Sequence, residues 1–323
     1  KKLNSRAVIM PCYKSIATAL PISLQCLKYA DIVICVDDAC PENTGNYIEQ
    51  NSKNENILVI YHEENMGVGG ATKTGIREAI RLGFETIIKI DSDGQADPKL
   101  IPRLAERVER CGADICKGNR FNDTRVLSRM PPTRLIGNAA LSFITKASTG
   151  YWEIFDPTNG LICLRSSAIK RIHLDKTDNR YFFETDILFR AGLIDLIIDE
   201  ISMDAVYEQE VSSLSPSKEI LNFGIRHILT MLKRIAYQYL LLDFNPGSIS
   251  LIVGTIFMSL SCAIGINRLT IGLIYGETTS SGTLTLFLGC FLAGSQFIIG
   301  FAQYDSSQRV LMRQLKRNRF ISH

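Results

Sequence analysis

Over the first two hundred positions, short apolar runs alternate with longer stretches in which apolar residues recur at helical spacing. Ala7–Pro11, Ile32–Val36, Ile57–Tyr61 and Ile87–Ile90 are bounded by polar or glycine-rich steps and predict four buried strands. Helices are expected over Ile16–Leu27, from about Gly70 to Leu82, and over Pro98–Arg110. Further on, the pattern predicts a strand at Ala113–Lys117, a polar loop over Asn122–Thr133 and a helix from Arg134 to about Ser148. Asp156–Gly160 reads as a turn before a strand at Leu161–Leu164, a helix starts near Phe182, and Leu196–Ile198 is a late strand. Strands alternating with helices argue an α/β fold with a mostly parallel, Rossmann-like sheet. Right-handed crossovers then bring the carboxyl ends of the first four strands to one rim.

Beyond residue 215 the pattern changes. Ile220–Leu242 has apolar residues at helical spacing, interleaved with Arg226, His227, Lys233 and Arg234. It suits an amphipathic helix on an anionic leaflet, or a docking helix against the globular domain. Phe244–Asn267 and Thr278–Tyr304 then carry no charged residue at all. Each run exceeds the roughly 20 residues needed to cross a bilayer, so two transmembrane helices are expected at about 246–267 and 283–303. The division is a globular domain over 1–215, an interfacial segment over 216–243, two spans within 244–304 and a tail over 305–323.

Net charge is a modest +3, which suggests no nucleic-acid partner, but its layout is informative. The connector Arg268–Gly282 holds one cation and one acid, whereas the tail holds Arg309, Arg313, Lys316, Arg317 and Arg319. The positive-inside rule puts the tail and the N-terminal domain in the cytosol. The opening Lys1-Lys2-Leu3-Asn4 leads into a strand, so no signal peptide is expected. Nine cysteines without a CxxC pair read as reduced, mostly buried thiols. Gly289, Gly294 and Ser295 permit close packing of the spans, within one chain or in a homo-oligomer.

The candidate chemistry sits at strand ends. Asp91 and Asp93 are two apart, so on an extended segment they face the same way at the end of the fourth strand. With the Gln95 amide oxygen they form a hard donor set suited to Mg²⁺ or Mn²⁺. An exposed Asp-Gly turn is the bland alternative, and Pro102 at the twelfth position excludes an EF-hand loop. Asn65-Met66-Gly67-Val68-Gly69-Gly70 lacks GK[ST], and Thr72 stands where GxGxxG would need its third Gly. That stretch reads as an anion-binding helix start or as a tight turn with close helix packing.

Five elements in this order carry a resemblance: Met10-Pro11-Cys12-Tyr13, Val36-Asp37-Asp38, Asn65-Met66-Gly67, Asp91-Ser92-Asp93-Gly94-Gln95 and Asp156-Pro157-Thr158-Asn159-Gly160. The chain resembles family 2 glycosyltransferases of the GT-A fold, and among them the dolichol- and polyprenyl-phosphate glycosyltransferases with two C-terminal transmembrane helices. The resemblance implies that Pro11, Tyr13, Val36 and Asp38 hold the base and ribose of a UDP- or GDP-sugar, with Asn65 in the same nucleotide-facing set. It places Asp91 and Ser92 along the nucleotide, Asp93 and Gln95 on a metal at the diphosphate, and Arg120 and Arg134 at the phosphate of a polyprenyl (undecaprenyl or dolichyl) acceptor.

An acceptor phosphate is already anionic and needs no general base, whereas a sugar hydroxyl on a lipid-linked or growing glycan does. Glu184 and Asp186 are candidates for that base, or for capping the helix they begin. A membrane protein that binds sugar nucleotides without turnover is a third reading. Two departures from the family pattern stand out: Lys14 follows Tyr13 in place of Asn, and Tyr207–Ser213 lacks the basic residues that close over a diphosphate.

Overall fold

The computed structural model describes residues 5–121, 132–203 and 216–321. It contains two compact units, Lys1–Met231 with Arg313–His323, and Leu232–Met312. In the first unit, strands β1 (Arg6–Cys12), β2 (Ile32–Asp37), β3 (Ile57–Tyr61), β4 (Thr86–Lys89), β5 (Ile115–Asn119), β6 (Ile162–Arg165) and β7 (Ile198–Ser202) form one sheet. Its order is β3-β2-β1-β4-β6-β5-β7. β6 runs antiparallel to both β4 and β5, while all other pairings are parallel. Six strands therefore end on one rim, and the reversed β6 starts there, which delivers the Asp156–Gly160 turn to the same edge.

Helices α1 (Ala19–Cys26), α2 (Thr44–Asn51), α3 (Gly67–Arg81), α4 (Ile101–Glu109), α5 (Pro132–Thr149) and α6 (Phe183–Leu193) belong to this unit. The alternation of strand side chains sorts the core into two layers. Ile9, Val36, Ile87 and Leu164 face one side with Ile76 of α3 and Ile187 and Leu188 of α6. Met10, Cys35, Ile88, Cys116 and Cys163 face the other with Ile22 of α1 and Leu104 of α4. The cysteines are free and mostly buried, as their apolar surroundings suggested.

Several boundaries differ from the apolar pattern, and hydrogen bonding explains them. α2 has a weak apolar signature and is not foreseen; it is tied down where Asp37 accepts from the Cys40 and Gly45 amides at 2.7 and 2.6 Å. α1 begins at Ala19 rather than Ile16, because Ser15 and Thr18 form a separate turn committed to residue 92. α3 begins at Gly67 rather than Gly70, with the Gly67 amide donating to Asp38 at 2.7 Å. The expected loop over Asn122–Thr133 falls largely outside the described residues, as does Tyr207–Ser213.

Helix α7 (Pro216–Ile235) follows the sheet domain and continues into a π-helical turn, Ala236–Leu242. One face of α7 is buried on the sheet domain through His227, whose Nδ1 meets Ser148 Oγ at 2.9 Å and whose ring edge packs on Phe182. Ile225, Ile228 and Leu229 of the same helix stay exposed. The docking helix and the apolar-faced helix are thus two faces of one element.

In the second unit, α8 (Pro246–Tyr275) starts at an Asn245–Ser248 capping box with Pro246 in its first turn. It pairs with α9 (Ser281–Ile321), and both helices are long and apolar enough to cross a membrane. A Cβ on Gly294 would lie 2.8 Å from the Met258 amide nitrogen, so this glycine lets the two backbones approach. Gly289 meets nothing within 4 Å. Asp305 binds the Arg234 guanidinium at 2.7 and 2.9 Å and accepts from Tyr239 Oη at 2.6 Å, and all three side chains are buried.

Candidate active site

Four strand ends and the turn before β6 meet at the rim. Ser92 sews two of them together: its Oγ donates to the Pro11 carbonyl at 2.8 Å and meets Ser15 Oγ at 2.8 Å, while Thr18 donates to its carbonyl. Pro11 pairs in register with Val36, which is buried in the core. Tyr13 remains 46% exposed at the mouth, with the Lys14 ammonium 5.5 Å from its ring centroid. Lys14 adopts φ 54°, where Asn is better suited than Lys, and its amide contacts Cys40 Sγ at 3.0 Å.

Asp38 is buried and both its carboxylate oxygens are engaged. Oδ1 lies 2.7 Å from His62 Nδ1 and accepts from the Met66 amide at 2.9 Å, while Oδ2 takes the Gly67 amide. Asn65 donates to the Asp38 carbonyl at 3.3 Å. The Gly70 amide donates to the Asn179 carbonyl at 2.9 Å. Of the two readings of this glycine-rich stretch, the geometry is that of a tight turn with close packing. Asp38 and Asn65 accordingly hold the 62–67 loop at the rim.

The centre of the site is a buried lysine. Lys89 closes β4 on the α6 side of the sheet, and its Nζ lies 2.8 Å from Asp91 Oδ1 and 3.2 Å from Glu184 Oε1 at the start of α6. Burial by itself pushes this amine down, but the two carboxylates more than reverse it and hold the ammonium above its ordinary range. Lys117 of β5, equally buried, donates to the Asn159 carbonyl at 2.6 Å. Burial lowers it to about 8.

The period-two alternation that aligned Asp91 with Asp93 also puts Lys89 on Asp91's side, and a lysine inside an isoleucine run demands a partner. That signal was available in the sequence and points to Lys89. The other carboxylate, Asp186, is used locally: it accepts from the Asp178 amide at 2.9 Å and lies 3.5 Å from Arg190.

The Asp156–Gly160 turn closes the far side. Arg120 grips buried Asp156 with Nε and Nη2 at 2.8 and 3.0 Å, and Asn159 Nδ2 reaches the same carboxylate at 3.1 Å. Glu200 of β7 accepts from the Phe155 and Asp156 amides, and burial raises it above the usual carboxylate range. Gly160 sits so close that a Cβ there would fall 2.2 Å from Asp91 Oδ2 and 3.0 Å from Lys89 Nζ. Arg134 lies in the first turns of α5, and its side chain is outside the described residues.

Asp93 and Gln95 project from the turn after β4, Asp93 exposed, with its Oδ1 accepting from the Gln95 amide at 2.9 Å. Asp91 is already neutralised by Lys89, and the described residues contain no cluster of three or more His, Cys, Asp or Glu able to cage a metal. One carboxylate and one amide oxygen fit a hard divalent cation that draws its remaining ligands from a diphosphate and water. They do not fit a closed, all-protein site.

A parallel sheet with one reversed strand, an acidic turn after the fourth strand and a rim of polar strand ends define the class of GT-A sugar-nucleotide enzymes. The chain belongs to glycosyl transferase family 2, whose model matches residues 7–172, and it is a glycosyltransferase. It is 30% identical to a UDP-N-acetylglucosamine–dolichyl-phosphate N-acetylglucosaminyltransferase of Methanococcus voltae, over 65% of this chain and 88% of that protein. Identity to an undecaprenyl-phosphate mannosyltransferase of Micrococcus luteus is 28%, over 68% of this chain and 90% of the relative. Among solved structures, glucosyl-3-phosphoglycerate synthase of Mycobacterium tuberculosis matches with a TM-score of 0.53 at 16% identity, covering 73% of this chain and 82% of the other. That likeness concerns the fold alone.

Proposed function

We propose that the chain transfers a sugar from a nucleoside-diphosphate donor to a polyprenyl phosphate at a membrane surface, in one inverting step. The observation that carries this reading is the pairing of Glu184 with Lys89. Glu184 is engaged as an ion-pair partner of a fully buried ammonium, at 3.2 Å. Asp186 is occupied with Asp178 and Arg190. The carboxylates nearest the rim are thus committed to partners within the chain, which suits an acceptor oxygen that brings its own negative charge and needs no base. Both relatives described above are named for a polyprenyl-phosphate acceptor, dolichyl phosphate in one and undecaprenyl phosphate in the other.

In this reading Tyr13, Val36 and the loop held by Asp38 and Asn65 bind the base and ribose, and Asp91 and Ser92 line the nucleotide. Lys89 fixes the orientation of Asp91. Asp93 and Gln95 would hold Mg²⁺ or Mn²⁺, which supplies Lewis-acid neutralisation of the leaving diphosphate. Arg120 and Arg134 would bind the acceptor phosphate, Arg120 sharing its guanidinium with Asp156. The sheet domain and both termini lie in the cytosol, α8 and α9 span the bilayer, and the exposed Ile225, Ile228 and Leu229 of α7 enter the headgroup boundary.

Substituting Glu184→Gln tests the absence of a chain base. Gln keeps an acceptor for Lys89, so turnover is expected to stay within roughly tenfold of the parent. A loss of about a thousandfold would instead assign Glu184 as base and a hydroxyl as acceptor.

A further inference from the structure

The basic residues after the second apolar run were read as a cytosolic tail, and two of them are bound by the sheet domain. Arg313 is 3% exposed. Its Nη1 donates to the Gly150 carbonyl at 3.0 Å and to Glu153 Oε1 at 2.9 Å, and its guanidinium lies 3.9 Å from the centroid of the Tyr151 ring. One turn later, Arg317 donates to Asp199 Oδ2 at 2.9 Å and to the Cys111 carbonyl at 3.3 Å.

These contacts fall on the supports of one segment. Residues 150–161 connect α5 to β6 without a backbone ladder, and they carry Asp156, Asn159 and Gly160 to the rim. Their position therefore depends on side-chain anchors. Arg313 holds the beginning of the segment, at Gly150, Tyr151 and Glu153. Its end is held by Glu200 through the Phe155 and Asp156 amides, and Glu200 is joined to Asp199 by its own amide donating to Asp199 Oδ1 at 3.0 Å. Arg317 grips that same Asp199.

We infer that Arg313 and Arg317 are positioning residues: the end of α9 is a clasp on the sheet domain that sets the place of the Asp156–Gly160 turn against Asp91 and Arg120. The planar guanidinium stacked on Tyr151 favours Arg over Lys, whose compact ammonium is more strongly hydrated and costlier to bury. The inference rests on the transfer reaction proposed above only for its activity readout.

The test uses the purified full chain in detergent, with Arg313→Met, Arg317→Met, Glu153→Gln, the Arg313→Met/Glu153→Gln pair, and Gln314→Ala as a control on the same helix. Amide hydrogen exchange is read by peptide. Arg313→Met is expected to speed exchange over residues 154–160 roughly tenfold while leaving β1–β4 protected, with Gln314→Ala unchanged. The paired variant should be no worse than Arg313→Met alone, because both remove the same contact. With undecaprenyl phosphate and a labelled donor the parent accepts, Arg313→Met should lower kcat by roughly tenfold or more with the donor KM within about twofold. If Arg313→Met unfolds the sheet, Arg317→Met carries the same exchange test at 154–160. Unchanged exchange at 154–160 in both arginine variants overturns the clasp. Failure of the parent to label any lipid would overturn the proposed acceptor and leave the exchange result standing.

Discussion

Lys89 determines what the two carboxylates beside it can do. A fully buried ammonium between Asp91 and Glu184 pairs with both and orients Asp91, so the strand end is an electrostatic frame. Gly160 belongs to the same frame, since the carboxylate of Asp91 occupies the space a side chain would need. In Gly160→Ala the flexible tip of Asp91 is the group that must yield. The expected result is a fall in turnover of about ten- to a hundredfold, from a displacement of order 1 Å. The melting temperature should move by only a few degrees, read by circular dichroism. Parental turnover in this variant would mean that the position of Asp91 does not matter to transfer.

At the scale of elements, the reversal of β6 is what completes the site, because an antiparallel strand between β4 and β5 begins where its neighbours end. Helix α7 carries a titratable group within its docking face. Burial lowers His227 to about 4, and its Nδ1 contacts Ser148. Between about 4 and its ordinary value near 6.5 the unfolded chain binds the proton and the folded chain does not. Stability therefore falls as pH drops from about 6.5 toward 4. Thermal melts of the parent and His227→Phe across this interval should show the parent losing more, and parallel curves would contradict the assignment.

The Asp305–Arg234 pair makes a comparable claim for the helical hairpin. Asp305→Ala strands a buried guanidinium and should cost about 3–5 kcal/mol in denaturant or steric-trap unfolding, far more than an exposed pair would. A loss below about 1 kcal/mol would show the pair to be solvated.

For the molecule as a whole, the sheet and both apolar helices were legible because strand alternation and charge-free runs are properties of the local sequence. So were the five strand-end motifs. Partnerships were not: nothing near Arg120 in sequence announces Asp156, and Arg313 finds Tyr151 and Glu153 from 160 positions away. α2 was missed because it lacks a strong apolar stripe and its start is held by Asp37 through the Cys40 and Gly45 backbone amides. Asp38 was read as a ligand for the nucleotide, and its hold on the 62–67 loop was not foreseen. In each case a specific hydrogen bond decided what the apolar pattern left open.

The central claim, transfer to a lipid phosphate, is tested most directly by supplying the acceptor oxygen in its two chemical forms. The full chain would be incubated with Mn²⁺ and labelled UDP- and GDP-sugars, together with undecaprenyl or dolichyl phosphate in one arm and the corresponding polyprenol alcohol or a lipid-linked sugar in the other. Labelled lipid in the phosphate arm, with inverted anomeric configuration and none in the hydroxyl arm, is the predicted result. Labelling of the hydroxyl acceptors alone, or of no lipid with any common donor, would contradict it.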